Sequence, residues 1–232
     1  MNTSPQFIRF AAVCCFLTVL TTLGIHVDFS TAPVAFEERI FLFRDTAYLF
    51  KCWWIIVHCL LVIVAMWGVA LLQFRKSQGL IGLGLLFFVV FGITEITRQM
   101  FVLFYVNGLR EQYATAASPM VKDSLRMSIQ TFNFAGNALF GVFVLTFGLG
   151  NLCYGLCLWH ERGLGKILSW MLLLWAVENF LALSNEFWRF ASLETGIHYF
   201  SLTYQPLIRG VAGLWLWQKA TLLSKEYEAE RI

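Results

Sequence analysis

The stretch GLIGLGLLFFVVFGITEITRQMFVLFYV, residues 79–106, is long and apolar enough to cross a bilayer, yet it holds Glu95 and Arg98. About 20 apolar residues suffice to span the hydrocarbon. A charged side chain there costs at least ~2.5 kcal/mol, so a Glu and an Arg one helical turn apart must face protein or water rather than lipid. The stretch therefore reads as a transmembrane helix with one polar, inward-facing stripe.

Five more runs share its apolar character: residues 8–27, 48–73, 128–159, 164–190 and 199–223. With 59% hydrophobic and only 13% charged residues among 232, the chain has no composition for an ordinary soluble surface. The runs lack the alternation of a membrane barrel, and only helices or closed barrels satisfy their backbone groups in lipid. The expected fold is all-α: one polytopic domain of six transmembrane helices, with little chain left outside the bilayer. Arg9 and the apolar run behind it resemble a secretory signal, but no small-residue cleavage pattern follows, so the run is read as an uncleaved first helix.

Between the first two spans, residues 28–47 form the longest well-defined connection. After Pro33, the side chains Phe36, Ile40 and Phe43 fall on one helical face, with Glu37, Glu38, Arg44 and Asp45 largely opposite. A short interfacial helix is predicted there. A second external connection, residues 107–127 with Ser118-Pro119, is predicted as a loop.

Basic residues suggest an orientation. Arg9, Arg75, Lys76, Arg162, Lys166, Lys219, Lys225 and Arg231 would share one side, against Arg39, Arg44, Lys51, Arg110, Lys122 and Arg126 on the other. The positive-inside rule then places both termini in the cytoplasm and the protein, multi-pass, in the cell membrane, inner or plasma. The net charge of +3 is scattered, with no Lys/Arg block, so nucleic acid is not an expected partner. Six cysteines all fall in or beside apolar runs and read as buried thiols, not a disulfide framework.

Once depth is assigned, the polar residues converge on the outer half. Span three carries Glu95, Arg98 and Gln99; span four presents Gln130, Asn133 and Asn137; span five holds Glu178, Asn179, Asn185, Glu186 and Arg189. Span six adds Arg209 and span two His58, whereas the cytoplasmic halves are almost wholly apolar. Three acids facing three bases make a near-neutral cluster, as buried charges require. The candidate ligand-binding residues are therefore Glu95, Arg98, Gln99, Asn133, Asn137, Glu178, Asn185, Arg189, Arg209 and His58. Spans two and three, like four and five, form hairpins with a Gly after a basic turn and a Glu fifteen or sixteen residues later, a coarse internal repeat.

Three readings use these residues differently. A binding bundle or small transporter would grip an anionic group with Arg and a cation or proton with Glu. An intramembrane enzyme would use Glu95 or Glu178 as general acid/base with His58 as partner. A structural subunit would use them only as interhelical hydrogen bonds. Weaker patterns are Cys153, Cys157 and His160 at helical spacing for a soft metal, and His26, His58 and His198 for metal or haem; neither completes a ligand set, and no cofactor is expected. Expected partners are the lipid bilayer and a small-molecule ligand, and the layout allows a homo-oligomer.

The six-span layout, the long connection after span one and the turn Cys157-Leu-Trp-His-Glu-Arg-Gly-Leu-Gly165 resemble uncharacterised bacterial six-helix membrane proteins. That resemblance implies an integral membrane protein and assigns no site residues.

Overall fold

The structure, a computed structural model, describes residues 4–26, 33, 35–188 and 190–229. Those residues are all-α and contain no strand. Peptide groups in hydrocarbon have no water to bond, so each apolar run satisfies them within its own helix. The elements are α1 (Pro5–His26), α2 (Phe36–Ile40) with a 3-10 turn (Phe41–Arg44), α3 (Thr46–Gln73), α4 (Gln78–Met100), a π-helical turn (Phe101–Val106), α5 (Asn107–Thr115), α6 (Pro119–Cys157), α7 (Leu164–Trp188) and α8 (Ala191–Ala229).

Five segments among the described residues are long and apolar enough to cross a membrane: Pro5–Ile25, Thr46–Gln73, Gln78–Thr115, Pro119–Cys157 and Leu164–Asn185. The protein is thus a multi-pass helical membrane protein by the length and composition of its helices. The run at 199–223 lies inside α8, which is not one of the five. Ser201, Gln205 and Arg209, spaced four residues apart, dilute its apolar character.

Each long helix packs on the next, α1 on α3, α3 on α4, α4 on α6, α6 on α7 and α7 on α8, and α8 returns to α1. The result is a closed ring in sequence order. Its core holds Phe88, Tyr154, Leu168, Ile208, Trp215 and Leu216, all at most 1% exposed. Small residues set the close approaches. A Cβ at Gly84 would meet the Tyr154 ring at 2.5 Å, and one at Gly155 would meet Leu173 at 2.7 Å. The Tyr154 hydroxyl donates to the Met66 carbonyl (3.0 Å), so the ring's one fully buried tyrosine is not left with an unmet polar group.

The connection after α1 is helical from Phe36 to Arg44. Ile40 is buried, Phe36 meets Tyr113 edge-on at 5.5 Å, and Glu37 accepts from the Tyr113 hydroxyl at 3.1 Å. Asp45 then caps α3, accepting from the Ala47 and Tyr48 amides. Residues 107–127 are not the predicted loop: α4 continues through the π-helical turn into α5, and α6 begins at Pro119. Proline's fixed φ and missing N–H suit a first helical turn, so the Ser118-Pro119 signal starts a helix here. At ~1.5 Å per residue the 39 residues of α6 run about 58 Å, near twice the hydrocarbon thickness. Beyond the main core, the N-terminal part of α6 places Ile129 against Val106, Tyr113 and Ile40 in a separate cluster.

At the opposite end one carboxylate ties three elements together. Glu161, in the turn between α6 and α7, is paired with Lys76 from the α3–α4 turn and with Lys219 of α8 (3.0 Å), and accepts from Gln73 Nε2 (3.2 Å). Arg9 of α1 donates to Ser224 of α8 at 3.1 Å. The start of α1, both basic turns and the last turns of α8 therefore share one end, the grouping the basic residues suggested.

Burial alone would raise the Glu161 carboxyl, but hydrogen bonds from Lys76, Lys219 and Gln73 outweigh it and bring it from 4.5 down to about 2. A depressed folded-state value means that its stabilisation is fully present above pH 4.5 and is lost as pH falls from there towards 2. Glu161→Gln is expected to lower stability by about 1–2 kcal/mol at pH 7, since both lysines are partly exposed, and to make no difference near pH 2. Thermal melts of the purified protein at the two pH values check this.

Candidate functional site

Inside the ring, away from the Glu161 end, lies a cavity of about 680 Å³ to which all six long helices contribute. The residues that face it from each helix follow from helical spacing. On α6, Phe140, Phe143, Val144 and Phe147 recur at three- and four-residue steps; on α8, Ser201, Gln205 and Arg209 do the same. Glu95 and Arg98 of α4, His58 and Cys59 of α3, Glu178 and Asn179 of α7 and Ile25 of α1 complete the inner wall. Glu194, Thr195, His198 and Tyr199, all exposed, form its rim.

Glu95 is 3% exposed and fully engaged. Arg98 grips it bidentately, Nε to Oε2 at 2.8 Å and Nη2 to Oε1 at 2.7 Å, while Gln99 Nε2 donates to Oε1 at 2.7 Å. Fork-on-fork pairing of this kind is the strongest way to hold a buried carboxylate. Glu178 has a neutral partner: Ser201 Oγ donates to its Oε1 at 2.7 Å, bridging α7 to α8. His58 Nδ1 lies 2.7 Å from Thr21 Oγ1, which joins α3 to α1. Asn179 donates to the Trp175 carbonyl at 2.7 Å.

Arg209 differs from the rest. It is 5% exposed, no carboxylate of the described residues lies within ion-pair distance, and its Nε has no hydrogen-bond partner. Its guanidinium sits 5.3 Å from the centre of the Trp175 ring. Arg209 also borders a small apolar void of about 10 Å³ lined by Trp175, Tyr154 and Leu172. Below Arg209 the bundle is packed.

Five of the ten predicted residues line the cavity: Glu95, Arg98, Glu178, Arg209 and His58. Gln99 stands behind Glu95 and holds it. Asn185 is buried at the end of α7, where its Oδ1 accepts from the Phe190 amide at 2.9 Å, so it finishes a helix instead of facing the cavity. Asn133 and Asn137 share the cavity face of α6 by spacing but sit two turns and one turn above Phe140, where they are exposed. α6 begins nine residues earlier than the expected span, at Pro119, and they lie on its part outside the cavity lining. Arg189 and the side chains of His26 and Glu186 lie outside the described residues.

The aromatic wall of Phe140, Phe143 and Phe147 is not among the residues predicted from the sequence. The i, i+3, i+4, i+7 spacing of Phe140, Phe143, Val144 and Phe147 was the available signal. Likewise Ser201 and Gln205 lie on the Arg209 stripe of α8. Among the described residues no three His, Cys, Asp or Glu side chains come together as a metal-ligand set.

Arg98→Gln should destabilise the protein by about 2 kcal/mol by leaving Glu95 buried with one donor, and Glu95→Gln by a similar amount. The double variant is expected to recover about 1 kcal/mol or more of the summed loss. Unfolding midpoints of the three variants measure that coupling, and strict additivity would mean the pair is not energetically linked. Comparison of the chain with known protein families, curated proteins and solved structures gave no match.

Proposed function

We propose that the protein is a six-span bundle of the cell membrane, with both termini cytoplasmic, whose cavity opens outward and binds or carries a small polar or amphipathic molecule. The observation that supports this best is the cavity itself: about 680 Å³, within the 300–1,000 Å³ range of ligand pockets, with mostly apolar walls and a few convergent polar groups. Interhelical glue alone needs no such space.

Counting α8 as the sixth span fits its surroundings. The residues that lower its hydropathy face the cavity, while Leu207, Leu214 and Leu222 are at least half exposed and would meet lipid. Six spans put both termini on one side, and the basic Glu161 end matches the positive-inside expectation. The cavity then faces outward. The packed layer beneath Arg209 favours binding from one side over an open passage, and carriage would require that layer to separate.

A catalytic reading has one observation in its favour, namely a cavity-facing Glu178 held only by a serine hydroxyl. In that case purified protein would turn over a lipid-like substrate and Glu178→Gln would not.

The test is ligand-dependent stabilisation of the full chain by a panel of anionic, cationic and neutral amphiphiles. A molecule at 100 times its Kd should add about 2.7 kcal/mol. Ala182→Trp, which puts a large ring into the cavity without altering its charge, should abolish that gain. A panel that stabilises neither protein would remove the binding reading. Uptake of the stabilising molecule into proteoliposomes would separate carriage from binding.

A further inference from the structure

Two arginines of the cavity are joined by a continuous run of aromatic rings. Arg98 lies 5.8 Å from the Phe140 ring; Phe140 follows to Phe143 (5.6 Å), Phe143 to Phe91 (4.7 Å), Phe91 to Phe147 (4.7 Å) and Phe147 to Trp175 (4.8 Å). Trp175 ends the run under Arg209 at 5.3 Å. The two cations are not equivalent. Arg98 is neutralised by Glu95, whereas Arg209 is more than nine-tenths buried, has an unpartnered Nε and lies beyond ion-pair distance of every described carboxylate.

Glu178 is bonded to Ser201 and lies beyond ion-pair distance of Arg209, so it does not serve as the counter-ion. Burying a guanidinium against an indole face recovers only part of its lost hydration. A planar oxyanion would complete it, because the guanidinium fork matches carboxylate and phosphate geometry.

We propose that the cavity takes an amphipathic anion, with its oxyanion headgroup on Arg209 and its apolar body along the ring wall of Phe147, Phe91 and Phe143. This rests on the cavity being a ligand site. Both a free long-chain carboxylate and an anionic membrane lipid offer that chemistry, and the headgroup on Arg209 is common to them.

The test uses the purified full chain in neutral detergent and two probes of equal chain length, dodecanoate and dodecan-1-ol. Dodecanoate is expected to bind wild type about tenfold or more tightly than the alcohol, as loss of a charge-assisted contact implies. Arg209→Gln should lower dodecanoate affinity by a similar factor and leave the alcohol unchanged, with Arg209→Lys between. Should Arg209→Gln not fold, the two probes on wild type still decide the matter.

Equal binding of both probes to wild type, or dodecanoate binding that Arg209→Gln leaves unaltered, would overturn the anion assignment while leaving the cavity a ligand site. Binding of neither would remove the ligand site itself. Displacement of radiolabelled dodecanoate by phosphatidylglycerol but not by diacylglycerol would name a lipid as the source, and no displacement by either would name a free anion. Displacement by diacylglycerol as readily as by phosphatidylglycerol would overturn the role given to the headgroup.

Discussion

The grip of Arg98 on Glu95 makes the interior of this bundle admissible. A lone carboxylate in that interior would be costly to bury, and the bidentate contact together with Gln99 satisfies it. Once Glu95 is satisfied within its own helix, α4 is free to turn that stripe towards the ring's interior. The helices around it can then enclose a space that is polar at named points and aromatic between them. Glu178 and Ser201 extend the arrangement across α7 and α8, and Thr21 with His58 does so across α1 and α3.

The two ends of the ring are built on opposite plans. At the Glu161 end, small residues and large rings interlock, as Gly84 with Tyr154 shows, and one carboxylate gathers a lysine from the α3–α4 turn and another from α8. At the other end the helices part around the cavity, and rigidity comes instead from a satellite cluster in which α2, α5 and the first turns of α6 meet. A void is tolerable only where its surroundings are held from elsewhere.

Much of this was legible in the sequence because a bilayer enforces simple rules. Helical runs, the shared side of the basic turns and the inward facing of Glu95, Arg98, Glu178 and Arg209 all follow from the high energy of exposing polar groups to lipid. What failed to read were features the bilayer does not govern. Asn133 and Asn137 are exposed on α6 outside the cavity lining, and where along so long a helix the cavity begins is invisible to hydropathy. Residues 107–115 carry a polar composition typical of loops, and only their packing under α2 and α6 keeps them helical. The spacing of the wall's phenylalanines marks one face of α6, but not whether that face meets lipid or a cavity.

Because the long helices follow one another around the ring in sequence order, each has its predecessor beside it as the chain is made, and only α8 must join two earlier neighbours, α7 and α1. Ser201, Gln205 and Arg209 arrive with it. Until that closure the cavity is a groove open along one side, with Glu178 and Trp175 exposed at its edge. The site is therefore the last part of the molecule to come into existence during biosynthesis. Any truncation or stall before residue 201 would leave that groove without Ser201, Gln205 and Arg209.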